Sequence, residues 1–232
     1  MRLADRLKKI AGFVPSGARI ADIGADHAYL PLWLLEKGII DFAVAVDVAD
    51  GPCRAAAASV AAAGADGRIK VRQGYGLSPL KSGEVDAIVI AGMGGSTIAQ
   101  ILDKGSDLLA GVDSLILQPM TGGGRLRSWL CASGWPLAGE ELAAEGRKLY
   151  EIIFAQKNPA AKHMVYDHFR LEAGPLLLEA GHPLLKRHVG NIAARYARVC
   201  RSMENGRPAA RGARYETARA IWAAAEDCLR CL

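Results

Sequence analysis

Along the first two thirds of the chain, short runs of Val, Ile, Leu and Ala alternate with stretches whose apolar residues recur every three or four positions. That alternation predicts strand–helix–strand units and a mostly parallel sheet covered on both faces. Strands are expected at 19–23, 43–48, 69–72, 85–91 and 114–118. Three of them (AVAVDV, VDAIVIA and SLILQ) are nearly unbroken apolar runs, as strands buried on both faces should be. Helices are expected between them at 30–37, 52–63, 96–104 and 126–132. Leu3, Leu7, Ile10 and Val14 add a leading amphipathic helix. Segments 137–144 and 148–156, split by Glu145-Gly146-Arg147, predict an antiparallel hairpin. After Lys157-Asn158-Pro159 the strand signals stop. Ala, Leu, Arg and Glu then predict two or three helices, broken near Gly181-His182-Pro183 and Asn205-Gly206-Arg207-Pro208. Leu184, His188, Ile192, Arg195 and Val199 form a mixed stripe that suits a helical hairpin better than a deep core. The division expected is residues 1–157, an α/β domain of Rossmann-like, doubly wound type, and residues 158–232, a small helical domain.

Charge sharpens this division. Residues 1–157 hold 17 Lys and Arg against 17 Asp and Glu, net zero, whereas 158–232 hold 12 against 7, net +5. A basic module on a neutral domain points to an anionic partner such as nucleic acid, against the alternative of a merely solvated helix surface. Arg195, Arg198 and Arg201, three residues apart, share roughly one helix face and are the expected RNA contacts. No run is long and apolar enough for a membrane span, and the N-terminus lacks the apolar core of a secretory signal. Five scattered cysteines suit a reduced cytoplasm. The Cys228–Cys231 pair ends an Ala-rich helix without a second pair, and the irregular spacing of His163, His168, His182 and His188 reads as surface or hairpin residues, so no metal site is expected. The pattern sets no oligomeric state.

Candidate chemistry gathers at the ends of the expected strands. Asp22-Ile23-Gly24-Ala25-Asp26-His27 is a strand ending in a Gly turn that feeds a helix, the usual place for a nucleotide in an open α/β sheet. A dinucleotide site would want three glycines there for the pyrophosphate, which disfavours a nicotinamide-dependent dehydrogenase. This turn has one Gly and then Asp26, a carboxylate that suits a ligand with a positive or zwitterionic end. Asp47 ends the second strand, where an acid accepts from ribose hydroxyls; a helix-capping or loop role competes with that reading. Gly74-Tyr75-Gly76 either wraps an adenine or is a turn that needs its glycines. Gly92-Met93-Gly94-Gly95 lets backbone and ligand approach closely, since packing explains one Gly more readily than three. Gly122-Gly123-Gly124, beside Arg125 and Arg127, reads as a mobile loop tip rather than an RNA contact.

The strings ADIGADHAYLP (21–31), DGP (50–52), VRQG (71–74), IAGMGG (90–95) and LILQP (115–119) together resemble the bacterial tRNA (adenine-N1)-methyltransferases that modify position 22. The resemblance covers about residues 1–157; the tail is similar in kind, a helical, coiled-coil-like C-terminal domain. It implies S-adenosylmethionine as methyl donor and N1 of a D-arm adenine in tRNA as acceptor. It also implies that Asp22, Gly24, Asp26 and His27 line the donor pocket, that Asp47 holds the ribose, and that Gly92, Met93 and Gly94 flank the reacting centre. Asp26 is the carboxylate expected to face the cationic product, with Gly74 and Tyr75 against the adenine. Two positions depart from the family pattern: Tyr75, where an Asp is usual, and Met120, where an Asn commonly follows Gln-Pro. A methyltransferase for another substrate and a non-catalytic RNA-binding protein of this fold are the competing readings.

Overall fold

The structure is a computed structural model describing residues 3–158, 165–205 and 212–232. Its centre is a seven-stranded sheet in the order β3-β2-β1-β4-β5-β7-β6. The strands are β1 (Arg19–Ile23), β2 (Phe42–Asp47), β3 (Ile69–Gln73), β4 (Ala87–Gly94), β5 (Ser114–Thr121), β6 (Leu137–Glu145) and β7 (Lys148–Gln156). The first five are parallel, β7 runs antiparallel to β5, and β6 completes the hairpin. The order reverses between β1 and β4, which opens the crevice where such sheets bind ligands.

Helices α1 (Asp5–Ala11), α2 (Tyr29–Glu36) and α3 (Asp50–Ala62) cover one face. Their side chains join Ile20, Ala43, Ala45, Val89 and Ile116 in one core. Helices α4 (Gly95–Lys104), α5 (Ser106–Leu109) and α6 (Gly123–Ala132) cover the other face, over Ile23, Val46, Ile88, Ile90 and Leu117. Alternate residues of each central strand thus serve opposite cores, which is why these strands read as unbroken apolar runs.

Helices α7 (His168–Ala173), α8 (Pro175–Glu179), α9 (Leu185–Glu204) and α10 (Ala213–Cys231) follow. Leu185, Val189, Ile192 and Ala193 of α9 pack with Ile221 and Ala225 of α10 and with Leu142 of the sheet. The helical hairpin expected here is observed, but of its expected stripe only His188 and Ile192 are buried, while Leu184, Arg195 and Val199 are half-buried. The core runs instead through Leu185, Val189 and the small residues Ala193 and Ala197, which let the helices approach closely and which a pattern of bulky apolar residues does not announce. Both β4 and β5 run three residues beyond their expected ends, so that strand passes into helix almost without a loop. His163 and residues 206–208 of the second expected break lie outside the described residues. No described helix is long and apolar enough to cross a membrane.

A buried ion cluster joins the sheet to the C-terminal helices. The Arg127 guanidinium is fully buried, pairs with Glu140, lies 2.8 Å from Glu151, and donates to the Leu171 carbonyl at 2.9 Å. Glu140 also accepts from the Leu176 amide at 2.8 Å. Burial alone would lower the Arg127 pKa, but the charges of Glu151 and Glu140 outweigh it and hold the cation. His188 packs 3.9 Å from Glu151, and burial pushes its pKa down toward the neutral form. Two sequence readings are corrected here. Gly122-Gly123-Gly124 is no mobile tip: Gly123 and Gly124 are buried in the first turn of α6. A Cβ would lie 2.6 Å from a Glu151 oxygen at Gly123 and 2.6 Å from a Glu172 oxygen at Gly124. His188 is a core residue rather than a surface one, and His182 is bonded to Glu141.

Candidate active site at the carboxyl end of the sheet

The turn after β1 is tightly wound. Gly24 has φ +78°, and Asp26 (φ +49°) and Ala28 (φ +55°) are non-glycine residues in the left-handed region. Asp tolerates this conformation, whereas Ala does so at a steric cost of order 1–3 kcal/mol, a strain typical of ligand sites. The turn is held from the neighbouring strand. The Gly24 and Ala25 amides donate to the Val46 carbonyl at 2.7 and 3.1 Å, and the Asp26 amide points at Asp47 Oδ2 at 3.4 Å. Asp47 Oδ1 accepts from the Ala49 amide at 3.0 Å, a local loop role that leaves the carboxylate edge exposed. Asp22, Asp26 and Asp47 are thereby brought together without a Lys or Arg partner among the described residues. Burial first, and then the facing charge of Asp47, push the Asp22 carboxyl up to about 7. A buried acid facing a second carboxylate fits a ligand that brings positive charge.

The opposite wall is the end of β4. Gly92 has φ +81°, a conformation that demands glycine. Gly95 answers to packing, since a Cβ there would sit 2.4 Å from the Gly122 carbonyl oxygen. At Gly94 a Cβ would meet nothing closer than two Thr hydroxyls at 3.6 and 3.7 Å. The three glycines therefore have three different reasons, and Gly94 opens the wall to a ligand. Met93 spans the crevice, its Cε 2.5 Å from where a Gly24 Cβ would stand. His27 lies beside Asp26, 3.7 Å from its carboxylate, and stacks on Tyr29 with ring centroids 5.1 Å apart.

Gly74 joins the site through its amide, which donates to the Asp47 carbonyl at 2.9 Å. Its own lack of a side chain is explained by Pro79, 2.4 Å from a built Cβ, and Gly76 by φ +55° and Ile101. The Tyr75 ring lies beneath Lys104 of α4, 5.1 Å from its ammonium. The Arg residues of α9 also separate: Arg195 pairs with Glu172 and its guanidinium lies over Tyr196, whereas Arg198 and Arg201 stand exposed.

Sequence reasoning missed Gln118 as a site residue. It is fully buried at the end of β5, and its Oε1 accepts from the Gly92 amide at 3.2 Å and from Arg6 Nη1 at 2.5 Å. Its signal was a lone amide closing an otherwise apolar strand. Val48, 62% exposed beside Asp47, was not singled out in the sequence; Met120, which departs from the family pattern, is 47% exposed beyond Gln118.

A Rossmann-like sheet with an acidic crevice at its switch point defines the class: the family profile for a methyltransferase domain matches residues 3–153. The chain is 41% identical over 177 residues to the tRNA (adenine(22)-N(1))-methyltransferase of Bacillus subtilis strain 168, covering 76% of this chain and 74% of that protein. Its fold matches the crystal structure of the B. subtilis m1A22 tRNA methyltransferase with TM-score 0.82 and 32% identity, over 99% of this chain and 96% of that one. It matches a candidate tRNA (m1A22) methyltransferase from Streptococcus pneumoniae, in complex with S-adenosyl-L-methionine, with TM-score 0.85 and 33% identity over 98% of this chain and 100% of that one. The chain belongs to the tRNA (adenine(22)-N(1))-methyltransferase family.

Proposed function

We propose that this chain transfers a methyl group from S-adenosylmethionine to N1 of adenine 22 in tRNA. The observation that carries the reading is the group of carboxylates, Asp22, Asp26 and Asp47, gathered without a Lys or Arg partner among the described residues at the switch-point end of the sheet. Bound S-adenosylmethionine supplies an electrophilic methyl group for in-line displacement by the N1 lone pair. The chain's part is to bind, align and balance charge. Asp47 accepts from the ribose hydroxyls, Asp22 faces the cationic amino-acid end, and Gly24, His27, Gly74, Met93 and Gly94 shape the walls. Asp26 stands at the mouth, where its carboxylate stabilises the positive charge that passes to adenine. N1 is a pairing atom, so the base must be extruded at a cost of a few kcal/mol. Arg198 and Arg201, exposed on α9, offer phosphate contacts that help offset it.

The test is labelling of unmodified tRNA transcripts, followed by mapping of the modified base. Label at adenine 22 is the expected result; label in no tRNA, or at a different base, overturns the reading.

Asp22 supplies a pH signature. Burial and then the Asp47 charge push the Asp22 carboxyl up to about 7, so in the free protein it is mostly protonated at about pH 6. A cationic ligand end favours the carboxylate, so donor affinity should rise with pH through that region and level off above it. Calorimetry at about pH 6, in two buffers of different ionisation enthalpy, should therefore show proton release on S-adenosylmethionine binding. A binding enthalpy independent of buffer would remove Asp22 from the donor's cationic end.

A further inference from the structure

The carboxyl end of the sheet is electrically divided. Over β1 and β2 stand Asp22, Asp26 and Asp47. Over β5, β7 and β6 stand four arginines of a different character. Elsewhere Arg19, Arg54, Arg72, Arg127, Arg170, Arg195 and Arg230 each pair with a carboxylate. Arg6, Arg125, Arg147 and Arg187, like Arg68, Arg198, Arg201, Arg214 and Arg219, have no carboxylate at ion-pair distance among the described residues. What sets the four apart is that they gather at one edge, and the side-chain hydrogen bonds they make go to neutral groups. Arg6 bonds the Gln118 amide oxygen and lies over the Tyr150 ring, 5.3 Å from its centroid. Arg125 bonds Ser96 Oγ at 3.2 Å, and Arg187 bonds the Gly146 carbonyl at 3.3 Å. Arg147 is exposed at the hairpin tip.

Four elements that are far apart in sequence bring these residues to one edge. Ser114 pairs with Gln156 and Leu117 with Ile153, so β7 descends from a hairpin tip that stands beside the carboxyl end of β5. The α6 helix starts at that same end, directly after β5. The Arg187–Gly146 bond pins the start of α9 to the tip, and the Arg6 amide donates to Glu145 at 3.0 Å, which pins α1 there too. Arg6 is innermost: it shares the Gln118 oxygen with the Gly92 amide, one residue from Met93.

We propose that Arg6, Arg125, Arg147 and Arg187 form the track for the RNA backbone over the β5–β7–β6 edge, with Arg6 holding the phosphate of the nucleotide whose base enters the crevice. The inference rests on the tRNA reading above. Planar guanidinium groups without carboxylate partners are preorganised for phosphate oxygens. The division of charge sets the cationic donor over the acidic half and the polyanionic acceptor over the basic half. Net charge by sequence segment hides this track, because three of its four members lie in the part of the chain that sums to zero.

The test uses the full-length protein, tRNA transcripts and a salt series. Arg147 and Arg187 are exposed, and the Arg187 side chain gives up only a 3.3 Å bond to a surface carbonyl. The double charge reversal Arg147→Glu with Arg187→Glu should therefore leave S-adenosylmethionine affinity intact, with circular dichroism and thermal melting checking that α9 keeps its place. It should weaken tRNA binding by about tenfold or more, and the slope of log affinity against log salt should become shallower by about one per lost contact. Unchanged affinity and slope would overturn the track, and so would weaker binding at an unchanged slope. Arg6→Gln should raise KM for tRNA without altering donor affinity; a loss of donor affinity instead would make Arg6 a support for Gln118 and Gly92 and remove it from the track. Salt-dependent binding is read without turnover. A wild-type protein that binds tRNA through this edge but methylates no adenine 22 therefore fails the functional reading and not this one.

Discussion

Arg127→Met should cost the protein about 3–5 kcal/mol of stability, the range for removing one partner of a buried ion pair. Methionine fills much of the same volume, so the loss comes mainly from charge. Glu140 and Glu151 would be left facing each other without the cation between them, and burial already opposes the ionised form of Glu151. The effect should fall on the joint with the C-terminal helices, because Arg127 and Glu140 also bind the Leu171 carbonyl and the Leu176 amide. Denaturant unfolding measures the cost, and hydrogen exchange locates it in α7 and α8. A loss below about 1 kcal/mol would mean that water or rearrangement compensates the two acids. Truncation after Lys157 would expose the same cluster, so residues 1–157 alone should be less stable than their neutral composition leads one to expect.

Asp26→Asn should lower kcat by about a hundredfold while S-adenosylmethionine affinity changes little, on the scale of removing one preorganised electrostatic partner of a transition state. The substitution is unusually clean at this position. Asn tolerates the left-handed conformation found at Asp26 (φ +49°) as Asp does, so the turn keeps its shape. The backbone amide that points at Asp47 is untouched. What is lost is a negative charge at the mouth of the crevice. Single-turnover rates with saturating tRNA isolate that loss, and a rate near wild type would make Asp26 a turn former with no part in the transfer.

The parallel sheet, its flanking helices and the terminal hairpin were legible because both-face burial leaves unbroken apolar runs and because Gly146 marks a tight turn. The acidic Gly turn and the glycines after β4 were legible for a related reason. Backbone φ and close approach are local demands, and few residues meet them. Strand ends were less so: β4 and β5 run on through Met93 and Thr121, where the pairing of Met93 with Pro119 and Gly94 with Thr121 overrides a glycine-rich sequence that locally favours a loop.

Charged residues divide on the same principle. Asp22, Asp26 and Asp47 sit at strand ends or in a tight turn, and that position alone brings them to the carboxyl end of the sheet. Arg127, Glu140 and Glu151 look like solvated surface in their own segments, yet they are buried because three elements cover them at once. Arg6 and Arg187, separated by 180 residues, are brought to one edge through Gln118 and Gly146. Periodicity, turn chemistry and strand-end position belong to neighbours in the chain, so the sequence by itself determined the elements, their order and the gathering of Asp22, Asp26 and Asp47 at the strand ends. Which charges are buried, which are paired and which stand together depends on distances across the chain, and that only the tertiary structure decided.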